Sequence, residues 1–217
     1  MNATRSSATL RAAIAADLAR SGAHRLLREM SDGSVSAAAF GRYLAFEEAF
    51  VATAVRVTGY CVWAEPDWVR SRRHAETLRQ LADEQLGYFA EVRRRWTIAD
   101  ADAADALRRA AVLSDHILAA VGDHGYPGAI AAMFAAETLY SDWCGRAAGL
   151  PAGRAADVEE WIMLHTAPAF LDGVAFLAEL VDGLADTVSD ETLAAWARAM
   201  LYAEDAFHSA AYPAGAA

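Results

Sequence analysis

The stretch "MFAAETLYSDWCG", Met133 to Gly145, decides how this chain folds. Met, Phe, Ala and Leu at its start are residues of a buried helix, and Tyr140 and Trp143 recur at helical spacing. Glu137 stands in the middle of that pattern. On a helix, Met133, Glu137, Tyr140 and Cys144 share one face, so the carboxylate faces the interior or a cavity. An isolated buried charge costs several kcal/mol, so such an acid is paired, hydrogen-bonded or protonated.

The same arrangement recurs twice along the chain. In "FGRYLAFEEAFVATAV", Tyr43, Glu47, Phe50 and Ala54 fall on one helical face, with Glu47 between two aromatics. In "ARAMLYAEDAFHSAAY", Met200, Glu204, Phe207 and His208 form a third such face. Three acids converging on one cavity would push their pKa values apart and supply one acid and one base. The bland alternative is that all three stand at solvent boundaries: Glu47 is followed by Glu48, and Glu204 has Asp205 beside it and His208 four residues on.

The wider composition supports helices throughout. The chain has 217 residues, is 55% hydrophobic, and carries a net charge of −10. Roughly a quarter of it is Ala, while Val and Ile are sparse, a mix that favours helices over strands. Helical patterns run from Ser7 to Arg20, Ser36 to Cys61, Pro66 to Trp96, Ala101 to Val121, Pro127 to Ala148, Ala155 to His165, Pro168 to Leu184 and Ser189 to Tyr212. Pro66, Pro127 and Pro168 fit first turns of helices, and Ser36 and Ser189 fit N-cap regions. The expected fold is one all-α domain, 1–217, of about eight helices with its core at about 7–212.

Several chemistries are excluded. No lysine occurs, since all 19 basic residues are arginine, so Schiff-base, pyridoxal-phosphate and P-loop chemistries lack their lysine. The acidic balance argues against a nucleic-acid partner. Cys61 and Cys144 form neither a disulfide framework nor a zinc site and read as small buried residues. Arg11 and Asp17 interrupt any signal-peptide core, and no stretch is apolar for long enough to span a bilayer. The expectation is a cytoplasmic protein without membrane contact. His24, His74 and His124 read as surface residues.

With the three faces in hand, the chain resembles the TenA (thiaminase II) family, whose fold is shared with haem oxygenase. The matching segments are "FGRYLAFEEAF", "LSDHIL", "MFAAETLYSDW", "VEEWIMLHTAPAFLDGVAFLAELVD" and "AEDAFHSAAY", in the family's order and at about its spacing. The resemblance implies a small pyrimidine-like ligand, no cofactor, and a homodimer or homotetramer. It implies that Glu47 is the pyrimidine-recognising acid, where the usual residue is Asp. Phe50 and Leu113 stand where relatives have tyrosines, and His165 where they have the Tyr of a W-I-x-x-Y segment. Tyr140 and Phe207 match further pocket residues, and Glu204 the C-terminal catalytic acid. The nucleophilic Cys of the better-known branch falls at or beside Ala136, next to Glu137. "ETLYSDW" fits the E-x-x-Y-x-x-W pattern of a branch that lacks this cysteine. Cys144, two turns further on, lies about 10 Å along the axis and does not fill its place.

The expected activity is therefore hydrolysis of a C–N bond on an aminopyrimidine related to thiamine breakdown, with Glu137 and Glu204 as catalytic carboxylates. Glu47, Phe50, Leu113, Tyr140, His165 and Phe207 would bind the substrate. Alternatives are a non-catalytic binding protein for a small flat ligand and, further off, a metal-dependent oxidase using Glu84, Glu137, Glu204 and His208. A haem-oxygenase reading through His24 lacks basic partners for the propionates. No metal is expected.

Overall fold

The computed structural model describes residues 6–93, 95, 100–151 and 153–214; the side chains of 84, 86, 93, 100, 101 and 102 lie outside the description. Helices dominate, and no strand occurs among the described residues, as the Ala-rich composition demands. They are α1 Ser6–Ala13, α2 Ala15–Gly22, α3 Arg25–Asp32, α4 Ala37–Ala64, α5 Trp68–Gln80, α6 Leu86–Arg93, α7 Asp100–Ala148, α8 Ala156–Leu164, α9 Pro168–Asp182 and α10 Asp190–Ser209.

Local chemistry sets the ends. Ser36 caps α4, its Oγ accepting from the Ala39 N–H at 3.2 Å, and Ser189 caps α10 through the Thr192 N–H at 3.2 Å. Pro168 occupies the first turn of α9, as expected. Pro66 does not open a helix: Asp67 caps α5 through the Arg70 N–H at 2.9 Å, which puts Pro66 one residue outside. The segment expected as one helix from Pro66 to Trp96 is divided by a widened π turn at Leu81–Gln85. Trp96 lies outside the described residues.

Two helices expected separately, ending at Val121 and starting at Pro127, run together as α7 across a break at Gly125. There φ is +62° and ψ is −149°, a conformation open to glycine and strained for any L side chain. Pro127 then falls in the first turn after the break, so its missing N–H costs nothing. The short helix α3 escaped sequence reading. It is closed at one end by His24, whose Nδ1 accepts from the Leu26 N–H at 3.2 Å, and at the other by Gly33 at φ +80°.

The chain forms two compact units: Met1–Val35 with Ile130–Asp205, and Ser36–Ala129 with Ala206–Ala217. In the first unit, α1 packs beside α9, and the Ser7 N–H donates to Asp182 Oδ1 at 2.8 Å. Leu10, Ile14, Leu26, Leu27, Met30 and Ile130 are fully enclosed there. Arg154 joins three elements by donating to the carbonyls of Ser31 at 2.8 Å and Ala147 at 3.0 Å and to the Glu159 carboxylate. In the second unit, α4 packs beside α5, and Phe40, Tyr43, Phe46, Val57, Cys61 and Phe207 are buried. No single described helix is long and apolar enough to cross a membrane.

Candidate functional site

In the first unit, the stretch 133–145 lies on the second half of α7, as its periodicity predicts. Tyr140 is buried and Glu137, one turn before it, is half-buried. Ala136, the position matched to the family's thiol, is half-buried as well. The Tyr140 ring stacks obliquely on His165, centroids 5.1 Å apart, and meets Trp143 edge-on at 6.2 Å.

His165 follows the last residue of α8, where the final carbonyls of a helix lack intrahelical donors. Its ring supplies one: Nδ1 lies 2.8 Å from the Trp161 carbonyl oxygen. Trp161 at 4.5 Å and Phe170 at 4.9 Å complete an aromatic enclosure around the imidazole. Burial lowers its pKa from 6.5 to about 4, against the opposing hydrogen bond to Trp161. The ring is therefore neutral at physiological pH.

Glu204 lies on α10 and is only 1% exposed. Its neighbour Asp205 has a different environment. Asp205 takes a bond from Arg20 Nε at 3.1 Å, while Arg20 also pairs with Asp17 and covers the Tyr202 ring at 4.3 Å. Arg198 adds a bond to Asp17 at 3.2 Å. The two adjacent acids thus divide: Asp205 is held by Arg20 across the α2–α10 contact, and Glu204 is enclosed.

In the second unit, Glu47 lies on α4 and is 9% exposed. Phe207, from the end of α10, meets the aromatic face of α4 edge-on: Phe46 at 4.8 Å, Phe50 at 6.1 Å and Tyr43 at 6.3 Å. Leu113 on α7 is buried, and the next residue, Ser114, accepts a hydrogen bond from Thr53 on α4 at 3.0 Å. Two of the expected binding residues, Phe50 and Phe207, are therefore in contact, as are Tyr140 and His165 in the other unit. Glu47 and Glu204 are not solvent-boundary residues, whereas Glu137 keeps partial exposure.

Both thiols are buried. Burial, followed by the Glu65 charge, raises Cys61 to about 12, and burial raises Cys144 further still. Neither is a thiolate nucleophile near neutral pH. Among the described residues no group of three or more His, Cys, Asp or Glu side chains is placed to hold a metal ion, and the Glu84 side chain lies outside the description.

One polar cluster was not read from the sequence. Tyr126, beside the Gly125 break, donates to Glu65 Oε2 at 2.6 Å, and His74 Nε2 lies 3.0 Å from the same hydroxyl. Glu65 Oε1 also accepts from the Asp67 N–H at 2.9 Å. His74, expected at the surface, is 3% exposed, because α5 folds back on α4 and turns it against Tyr126. Burial lowers its pKa to about 4, and burial with Glu65 pushes the Tyr126 phenol above its usual range. The only sequence signal was the Gly125–Tyr126–Pro127 break; the three residues share no helical spacing.

The sequence profile of the TENA/THI-4/PQQC family matches residues 12–213. Solved structures of similar fold include the TenA homologue protein from P. horikoshii OT3, at 13% identity and TM-score 0.82, covering 96% of this chain and 98% of that one. A TenA homologue from Pyrococcus furiosus has 18% identity and TM-score 0.77, with 95% of this chain and 100% of that one covered. A TenA homolog from Pseudomonas syringae pv. tomato str. DC3000 has 15% identity and TM-score 0.65, with coverage of 93% and 90%. No curated protein matches.

Proposed function

The chain belongs to the TENA/THI-4/PQQC family, and on that premise we propose that it hydrolyses a C–N bond on an aminopyrimidine of the kind released by thiamine breakdown, using carboxylates in place of a cysteine. The observation that carries this reading is Glu204: a carboxylate 1% exposed at the position matched to the family's C-terminal acid, in a chain whose two thiols are buried and protonated.

The proposed step is a direct displacement by water. Glu204 takes a proton from water as its oxygen bonds to the one-carbon arm of the ring. The C–N bond breaks with its electron pair passing to nitrogen, and Glu137 protonates the leaving nitrogen. An aminomethylpyrimidine yields a hydroxymethylpyrimidine and ammonia, with one water consumed. Proton return from Glu204 to Glu137 resets the pair. Partial exposure suits Glu137 to exchanging protons with solvent, and enclosure keeps Glu204 away from bulk water. The family resemblance assigns Glu47 the amino group and adjacent ring nitrogen, a donor pair that a carboxylate accepts in two bonds. The same resemblance assigns contact with the flat ring to Tyr140, Phe50, Leu113 and Phe207. The glutamate-type branch, cytoplasmic location and a homodimer or homotetramer are parts of the same proposal. Trp63 and Trp68, exposed on α4 and α5, supply apolar surface for association.

A second reading has a specific observation behind it. Phe50 and Leu113 remove two hydroxyl donors expected from relatives, which fits a binding protein for a more apolar flat ligand. One experiment separates the two. The protein is incubated with 4-amino-5-aminomethyl-2-methylpyrimidine and with its N-formyl derivative, and release of ammonia or formamide is followed alongside thermal stability. Multiple turnovers support the hydrolase; stabilisation without turnover supports the binding protein; neither effect refutes both.

A further inference from the structure

We propose that His165 reads a hydrogen-bond donor on the ligand's one-carbon arm through the lone pair of its Nε2, so that this chain selects arms ending in N–H or O–H. The inference rests on the aminopyrimidine reading and deepens it, since it names what the arm must carry.

The argument begins with a tautomer. A carbonyl oxygen only accepts hydrogen bonds, so the 2.8 Å contact with Trp161 requires the proton on Nδ1. In a neutral imidazole, Nε2 is then a lone pair and an acceptor. The Nδ1 bond is the only hydrogen bond the ring makes among the described residues, and the residue is half-buried rather than fully enclosed. The groups facing it from the neighbouring elements are Tyr140 on α7, Trp161 on α8 and Phe170 on α9, none of them charged. With a pKa near 4 the ring stays in this form across the neutral range, and it is too weak a base to serve as the water's proton acceptor.

The location points to the arm. Tyr140, the ring stacked on His165, lies one helical turn from Glu137, the proposed acid for the leaving nitrogen. The one-carbon arm is the part of the substrate on which Glu137 would act. A tyrosine at position 165, as in the family's W-I-x-x-Y segment, would offer an O–H that can donate. The imidazole of this chain, its one N–H already spent on a helix carbonyl, offers only a lone pair. The exchange reverses the polarity demanded of the ligand.

The test uses two matched probes that cannot undergo C–N hydrolysis: 4-amino-5-hydroxymethyl-2-methylpyrimidine and its methyl ether. The alcohol donates and the ether does not. Calorimetric titration of the wild type at pH 7.5 is expected to give at least tenfold tighter binding of the alcohol. In His165→Leu that preference falls below threefold, and in His165→Gln, which keeps an acceptor, a preference above threefold returns. The wild-type preference is expected to be the same at pH 6.0 and 8.0. An equal alcohol-to-ether ratio in wild type and His165→Leu overturns the assignment of His165 while leaving the aminopyrimidine reading intact. Failure of both probes to bind wild type overturns that reading and this inference with it. Circular dichroism of each variant separates lost recognition from lost folding, and if His165→Leu does not fold, the wild-type ratio and His165→Gln decide: a wild-type ratio below threefold, or a ratio below threefold in folded His165→Gln, refutes the proposal.

Discussion

Replacing Tyr126 by Phe removes one oxygen and almost no volume, so its effect isolates the polar cluster beside the Gly125 break. The hydroxyl makes two bonds: it donates to the Glu65 carboxylate at 2.6 Å and meets His74 Nε2 at 3.0 Å. A hydrogen bond to a charged group contributes about 1.5–3 kcal/mol and one to a neutral group about 1 kcal/mol. Glu65 is 8% exposed and His74 3% exposed, so water does not readily replace what is lost. Glu65 retains its bond from the Asp67 N–H, which limits the damage on that side. The expected cost is about 3 kcal/mol. With a urea slope of about 3 kcal/mol per molar for a chain of this size, the midpoint should drop by about 1 M, followed by circular dichroism at pH 7. A second variant, Glu65→Gln with Tyr126→Phe, should cost less than the sum of the two single changes, because both act on one bond. A midpoint within 0.2 M of wild type (about the error of such an extrapolation) would show that the hydroxyl is not part of a buried hydrogen-bonded cluster, and the reasoning would fail.

Acid should destabilise the protein in a defined window. His74 has a folded pKa near 4 against 6.5 when unfolded, so the folded state favours the neutral ring. Its contribution is complete above pH 6.5 and is lost as pH falls towards 4, with about 2 kcal/mol gone between pH 7 and pH 5; urea midpoints across that range should fall less steeply in His74→Phe, the remaining slope coming from His165, whose pKa is lowered to about 4 as well. Gly125→Ala should cost about 1–3 kcal/mol, because φ of +62° with ψ of −149° strains any L side chain, and a Cβ would also meet Tyr60 Oη at 3.3 Å; thermal unfolding reads this directly. Arg154→Ala should cost about 2–4 kcal/mol by leaving the carbonyls of Ser31 and Ala147 without their donor, and Arg154→Lys should restore less than half, because an ammonium lacks the planar fork. Both can be read from denaturant midpoints.

The all-helical class was legible because Ala and Leu at helical spacing leave no alternation for a strand, and the caps at Ser36 and Ser189 were legible because a serine before an apolar run has one natural use. Burial of Glu47 and Glu204 was also legible: aromatics one turn away on the same face leave a carboxylate nowhere else to point. What escaped was decided by tertiary contact or by backbone geometry. Helix α3 is only eight residues and depends on a histidine cap and a left-handed glycine rather than on periodicity. The polar residues of "RSRRHAETLRQ" made His74 look exposed, and only the folding of α5 against α4 and the position of Tyr126 bury it. The join across Gly125 was read as a gap between helices, because glycine and proline two residues apart look the same whether the chain turns away or merely bends. For His165 the sequence showed the residue but not its tautomer, which depends on the Trp161 carbonyl.

The carboxylate mechanism meets its most direct test in the turnover of Glu204→Gln. The amide keeps the size and shape of the side chain but cannot accept a proton from water. With 4-amino-5-aminomethyl-2-methylpyrimidine as substrate, kcat for ammonia release should fall by about 10²–10⁴, the usual contribution of a general base, while KM changes by less than about threefold. Equal kcat in wild type and Glu204→Gln would contradict the account.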